Sequence, residues 1–113
     1  MLQLRLSRYE FLENEYGRTI TFRIYDETPS ALNCSSYTSA EVIITDVEGN
    51  EYIDQITPSW TTQTSGIGTF SFTDTKKLDY SGIFYVQVVL EKSGEESPTE
   101  PVKITVQKSG VKT

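Results

Sequence analysis

The feature that most restricts the fold of this chain is the alternation of apolar and polar residues in several short segments. In residues 18–25, RTITFRIY, the side chains of Ile20, Phe22 and Ile24 alternate with polar ones, and residues 102–107 repeat the pattern. Side chains two residues apart lie on the same face of an extended chain. This period predicts β-strands with one face buried and the other facing water.

Segments of this kind recur along the chain and are separated by turn-forming residues. The predicted strands are residues 2–6, 18–25, 40–45, 51–56, 68–73, 83–91 and 99–107. Between the third and the fourth, Gly49 and Asn50 tolerate the positive φ of a tight hairpin turn. Short strands with regularly spaced turns are typical of a β-sandwich. We therefore predict an all-β fold of about seven antiparallel strands.

The length of 113 residues suits one domain with a modest core. We expect residues 1–113 to form a single sandwich, in which residues 1–8 are a strand or an arm and residues 108–113 a flexible tail. The predicted core consists of inward-facing strand residues, namely Ile20, Phe22, Ile24, Phe70, Phe72, Phe84, Val86, Val88, Val102 and Ile104.

The polar segments between the predicted strands are interpreted as connections. Residues 9–16 form one connection, with Phe11 or Leu12 turned inward. Residues 57–68, TPSWTTQTSGIG, form a loop that carries the only tryptophan, and residues 92–98 form a turn. Pro, Gly, Ser and Asn concentrate in such segments because they end strands and favour turns.

Composition argues against catalysis. The chain has a net charge of −6, no histidine and one cysteine, Cys34. Without histidine the usual activation of a serine or cysteine nucleophile is missing, and the negative charge disfavours nucleic acid. No segment is long or apolar enough to cross a membrane. We expect a non-enzymatic protein without a cofactor, a nucleic-acid partner or a membrane partner.

The acidic segment at residues 46–51, DVEGNE, superficially resembles a calcium-binding loop. It lacks the ligand spacing of the helix–loop–helix calcium motif and lies where a hairpin turn is expected. We therefore predict no metal site.

Four aromatic residues are the candidate binding residues. Trp60 lies among short polar side chains and either stacks on a sugar or protein surface or folds back to cap the sandwich. Tyr25, Tyr52 and Tyr85 fall on strand faces opposite or beside the predicted core. Because tyrosine is enriched at interfaces, these residues indicate a partly apolar outer face.

The order of these features resembles the immunoglobulin-like N-terminal domain of phage baseplate upper proteins and related virion domains. The likeness lies in four segments: residues 18–26, RTITFRIYD; residues 40–50, AEVIITDVEGN; residues 68–72, GTFSF; and residues 78–88, LDYSGIFYVQV. It spans residues 18–107 and implies a single immunoglobulin-like β-sandwich. One departure is Phe84, which stands where immunoglobulin domains often carry the tyrosine of the tyrosine corner.

The resemblance implies a structural protein of a phage particle, made in the host cytoplasm. It would dock on capsid, tail or baseplate proteins through strand edges, residues 1–8 and outer-face tyrosines. The expected partners are other virion proteins and further copies of the chain. The alternative is a module that binds a carbohydrate or host surface, in which Trp60 stacks on a glycan.

Overall fold

The computed structural model describes residues 1–108 and confirms an all-β sandwich. Ten strands are present in the described residues. They are β1 (Gln3–Leu6), β2 (Glu10–Leu12), β3 (Thr19–Tyr25), β4 (Ser39–Asp46), β5 (Glu51–Ile56), β6 (Ser59–Thr62), β7 (Ile67–Ser71), β8 (Gly82–Lys92), β9 (Glu95–Pro98) and β10 (Val102–Gln107). A single 3₁₀ turn in this part of the chain, Gln63–Ser65, joins β6 to β7.

The strands form two sheets whose order is immunoglobulin-like. The four-stranded sheet has the order β1-β3-β7-β6, and the six-stranded sheet has the order β2-β10-β8-β4-β5 with β9 beside the far end of β8. An immunoglobulin sandwich likewise places its first, second, fifth and fourth strands in one sheet and the others opposite. The N-terminal segment contributes to both sheets, because β1 pairs with β3 and β2 pairs with β10.

The core fills the space between the sheets and contains the residues that alternation selected. All the predicted core residues are buried except Val102, which is partly buried and packs against the others. Of the two residues predicted to turn inward between the first strands, Phe11 is buried and Leu12 is 49% exposed. The other buried hydrophobic residues outside the predicted core set are Leu4, Leu6, Cys34, Ala40, Val42, Ile44, Ile53, Ile56, Leu78, Leu90 and Val106. The core therefore extends to both ends of the sandwich.

The hairpin predicted around residues 46–50 is present. β4 and β5 pair antiparallel, and Gly49 in the turn has a φ of 85°. The Oδ1 atom of Asp46 accepts hydrogen bonds from the backbone N–H groups of Glu48 and Asn50, at 2.9 and 3.0 Å. This carboxylate stabilises the turn, which is the role that aspartate commonly has at such positions.

Three short strands were predicted as connections. They are β2, β6 and β9, and β2 also departs from the predicted antiparallel pattern because it runs parallel to β10. Each has only three or four residues and pairs with a longer neighbour. Short segments of this kind become strands because a neighbouring strand offers backbone hydrogen bonds. The composition of the segment itself does not indicate a strand.

The two chain ends differ in what the structure describes. Residues 1–8 were predicted as a strand or an arm, and the structure has a strand, β1, with Leu4 and Leu6 in the core. The backbone N–H of Glu100 also donates to the carbonyl of Leu2, at 2.8 Å. Of the predicted tail, Lys108 is exposed, and residues 109–113 lie outside the described residues.

Candidate protein-binding surface

The outer face of β8 carries apolar side chains that no other element of the described chain covers. Inward-facing Phe84, Val86 and Val88 are fully buried. The residues between them point outward, and Ile83 is 38% exposed while Tyr85 is partly exposed. One strand therefore packs the core with one face and presents a mixed face to solvent.

Cross-strand neighbours widen this apolar stripe and frame it with charge. Tyr85 lies opposite Thr45 of β4 on one side and Lys103 of β10 on the other. Val89 lies opposite Glu41, and Ile43 lies opposite Gln87 on the same face. An apolar strip with charged neighbours has the composition of a docking surface, where polar residues surround an apolar centre.

A shallow groove of about 310 Å³ lies at the Tyr85 end of the stripe. The hairpin turn after β4 forms one wall through Val47, which is 65% exposed, and Pro101 lies at the opposite side. Because the Asp46 carboxylate holds this turn, Val47 is presented on an ordered backbone. We call the set Ile43, Val47, Ile83, Tyr85 and Val89 the β8 surface.

Tyr52 does not belong to the β8 surface. Bulges interrupt the pairing of β4 with β5 on both sides of Ile44, so the faces of β5 do not simply alternate. The Tyr52 ring packs on Phe84, with centroids 5.4 Å apart, and edge to face on Tyr80 at 5.2 Å. It covers one end of the core and thus has a packing role.

Tyr25 lies on the outer face of the other sheet. The Arg5 and Arg23 guanidinium carbons are 4.9 and 5.4 Å from the centre of its ring. These distances are typical of cation–π contacts, in which a guanidinium group lies over the face of an aromatic ring. The sequence-based prediction identified the tyrosine and missed both arginines, because only the pairing of β1 with β3 brings Arg5 next to Arg23.

Trp60 lies on an edge strand, β6, and not in the loop that the sequence indicated. Its ring packs against the buried Phe22 at 5.7 Å, in an edge-to-face arrangement, and the residue is partly buried. Gly68, which pairs with Trp60, leaves room for the Phe22 ring, because a Cβ atom there would lie 2.6 Å from Phe22 Cζ. Trp60 therefore helps to close the open side of the sandwich and keeps part of its surface exposed.

The sheet edges are poorly suited to pairing with a further strand. β5 is bulged, and the Lys76 ammonium donates a hydrogen bond to the carbonyl of Gln55 on its free edge. At the other edges β1, β2, β6 and β9 have only three or four residues each. Short or bulged edges and lysine are the devices by which proteins discourage edge-to-edge association. A sheet face is therefore better suited to protein contact than a sheet edge in this fold.

Local structure explains the shifted pKa values of Glu15, Asp26 and Cys34. The hydrogen bond from Arg8 lowers the pKa of the Glu15 carboxyl, and the hydroxyl and backbone of Thr28 together with the backbone of Ser30 lower that of Asp26. Burial raises the pKa of the Cys34 thiol to about 11. A thiol with such a pKa stays protonated at neutral pH and is a poor nucleophile.

Two kinds of feature are absent from the described residues, 1–108. These residues contain no group of three or more His, Cys, Asp or Glu side chains placed to hold a metal ion. In the same range no helix is long and apolar enough to cross a membrane.

Comparison with known proteins gives a likeness among solved structures. No protein-family model and no curated protein matches the chain. Among solved structures, the crystal structure of the Lin-41 filamin domain is similar to it with a TM-score of 0.49 and 10% sequence identity, over 92% of this chain and 91% of that one.

Proposed function

We propose that this chain is a non-enzymatic structural module of a phage particle that docks on a capsid, tail or baseplate protein through the β8 surface. The observation that carries the docking role is the uncovered apolar stripe on the outer face of β8, with Tyr85 at its groove. The sequence resemblance to phage virion domains described above is what supports the phage particle as its location.

The β8 surface suits docking because it is already ordered. β8 is paired with β4 on one side and with β10 and β9 on the other, so its backbone is held before any partner arrives. Binding by an ordered surface avoids much of the entropy cost of fixing a loop. Tyr85 provides a large side chain with few rotatable bonds, and such residues dominate the binding energy of many interfaces.

A repetitive particle would strengthen such a contact. The β8 surface is small, so a single copy would bind weakly. When many copies attach to a symmetric lattice, each bound neighbour raises the effective concentration of the next, and weak contacts add up to firm attachment.

The proposal is tested by replacing Tyr85 and measuring incorporation into particles. We expect Tyr85→Ala to reduce the amount of the chain in purified particles, measured by quantitative mass spectrometry, by about tenfold, the loss of roughly 1.4 kcal/mol of binding energy. The matched control is Tyr16→Ala, because Tyr16 is 54% exposed and lies in the connection between β2 and β3, outside the β8 surface. This variant should be incorporated like the unchanged chain.

Two results would contradict the proposal. If the unchanged chain is missing from purified particles, the virion role is wrong. If the chain is present and Tyr85→Ala is incorporated fully, the β8 surface is not what docks.

The alternative proposal is a module that binds a glycan through Trp60. What supports it is the exposed part of the Trp60 ring on β6, with Ser59 and Thr61 as its polar neighbours in the sequence. We expect Trp60→Phe, which keeps an aromatic ring against Phe22, to abolish binding on a glycan array if this alternative is correct. An unchanged chain that binds no glycan on the array would rule it out.

A further inference from the structure

At two places in the fold, two residues of the same charge lie directly opposite each other on neighbouring strands. Arg5 of β1 faces Arg23 of β3, and Glu91 of β8 faces Glu96 of β9. Like charges directly opposite in a sheet are destabilising. The fold contains one such pair of positive residues and one of negative residues. We call them the arginine pair and the glutamate pair.

The arginine pair has no acidic partner within the described residues. The chain carries 16 acidic residues, yet no carboxylate of residues 1–108 forms an ion pair or hydrogen bond with Arg5 or Arg23. The Nε atom of Arg23 is buried and has no hydrogen-bond partner there. Both guanidinium groups rest on the Tyr25 ring, which orients them side by side on the outer face.

The glutamate pair borders a groove of about 330 Å³ on the outer face of the six-stranded sheet. Three further acidic residues, Glu41, Glu51 and Asp54, line the same groove and add to its negative charge, and Ile43 and Val89 provide its apolar part. Lys92 is the nearest cation along β8, but its ammonium lies 3.7 Å from Glu95 and over the Tyr37 ring. No cation of the described residues forms an ion pair with Glu91 or Glu96.

The two pairs cannot neutralise each other within one molecule. The arginine pair lies on the outer face of the four-stranded sheet and the glutamate pair on that of the six-stranded sheet, with the core between them. Packed sheets are about 10 Å apart, and both pairs point away from that space. Within residues 1–108 no carboxylate reaches the arginines and no guanidinium group reaches the glutamates, so a second molecule is the source that could satisfy both pairs.

We propose that the arginine pair of one copy of this chain binds the glutamate pair of a second copy. The contact joins two different surfaces, so it propagates from copy to copy and forms an open row unless its rotation closes a ring. This inference rests on the proposed docking function and names a second copy of the chain as one of its partners. Tyr85 and Glu91 are six residues apart on one strand, about 20 Å, so another protein can occupy the groove at Tyr85 while the second copy covers Ile43 and Val89, which belong to both surfaces.

The charges explain why a second copy is a better occupant than an unrelated surface. Each pair is unfavourable alone and becomes favourable when the other is placed on it, so the same contact removes both costs. Arginine forms paired hydrogen bonds with carboxylates, and Ile43 and Val89 offer apolar area to the arginine stems. Close charge pairs across interfaces have coupling energies above about 1.4 kcal/mol, which corresponds to at least tenfold in affinity.

The test is sedimentation velocity of the purified chain at physiological ionic strength over a wide range of concentration. We expect the unchanged chain to form dimers and longer rows as concentration rises. Two neutral variants, Arg5→Gln/Arg23→Gln and Glu91→Gln/Glu96→Gln, should each associate at least about tenfold more weakly alone. A mixture of the two should form dimers only, because each variant retains one intact pair and can join the other variant once.

A folding control separates association from damage. Removing the glutamate pair relieves a repulsion, so the thermal midpoint of Glu91→Gln/Glu96→Gln should not fall below that of the unchanged chain. The proposal is overturned if the unchanged chain stays monomeric up to about millimolar concentration, where a lattice contact should already be visible. It is also overturned if either variant associates like the unchanged chain, or if the mixture forms no dimer. None of these results bears on incorporation into particles, which tests the proposed function separately.

Discussion

The two faces of β8 come from alternate residues of one segment, and yet their surroundings are opposite. Phe84, Val86, Val88 and Leu90 have no exposed surface, whereas Ile83 is 38% exposed and Tyr85 is partly exposed. The strand and its hydrogen-bonded neighbours are the same for both faces. The second sheet covers only the inner one. An apolar side chain on this strand therefore contributes to folding on one face and is free for recognition on the other.

The largest contrast is expected between two neighbouring aromatic residues. Phe84→Ala should lower the free energy of unfolding by about 3–5 kcal/mol, because it removes buried area and leaves a cavity. Tyr85→Ala should lower it by about 1 kcal/mol or less, because the side chain is not enclosed. Urea unfolding followed by fluorescence measures both. Equal losses for the two variants would show that the outer face also belongs to the folding core.

A smaller contrast tests polarity without changing shape. Val88→Thr should destabilise the fold by about 1–3 kcal/mol, since it buries a hydroxyl group in an apolar site. Val89→Thr should change stability by no more than about 0.5 kcal/mol, because the outer face reaches water. The midpoints of urea unfolding compare the two. If Val88→Thr left the stability unchanged, the inner face would be less tightly packed than the structure shows.

The smallest expected effect is that of an ion pair near the surface. It measures how much a polar contact outside the core contributes to the free energy of unfolding. Arg8 forms an ion pair with Glu15, whose pKa is lowered from 4.5 mainly by that hydrogen bond. A carboxyl with a lowered pKa stabilises the fold above the unfolded value and loses this contribution as pH falls through the folded value. Urea unfolding at pH 7 and below pH 4.5 should show about 1 kcal/mol or less of acid loss that Glu15→Gln lacks. Identical pH profiles of the two proteins would contradict it.

The strands predicted from the sequence are mostly those whose own side-chain pattern indicates a strand. β3, β4 and β8 alternate or are apolar throughout, and hydrophobic burial determines which face is inward. β5 does not alternate simply, and it was predicted from the hairpin turn before it. β2, β6 and β9 are short or polar, so they depend on a neighbour's ladder. The position of Trp60 on a strand follows from the same dependence, because β6 is held by β7.

The candidate surfaces were less predictable than the fold. Tyr85 was identified because it alternates with core residues, and Tyr52 was grouped with it although bulges in β5 turn it to the end of the core. The arginine and glutamate pairs have no signature in the sequence. Arg5 and Arg23 are 18 positions apart, and only strand register places them side by side.

The amino-acid sequence alone was enough to predict the all-β class, the hairpin at residues 46–50 and the inward face of the strands that alternate most clearly. These follow from local periodicity and turn chemistry, which act within a few residues. The pairing of strands, the parallel contact of β2 with β10 and the set of charges that share a face are visible only in the folded chain. These depend on burial between distant segments, because a strand's partner and register are fixed only when two sheets enclose a common core.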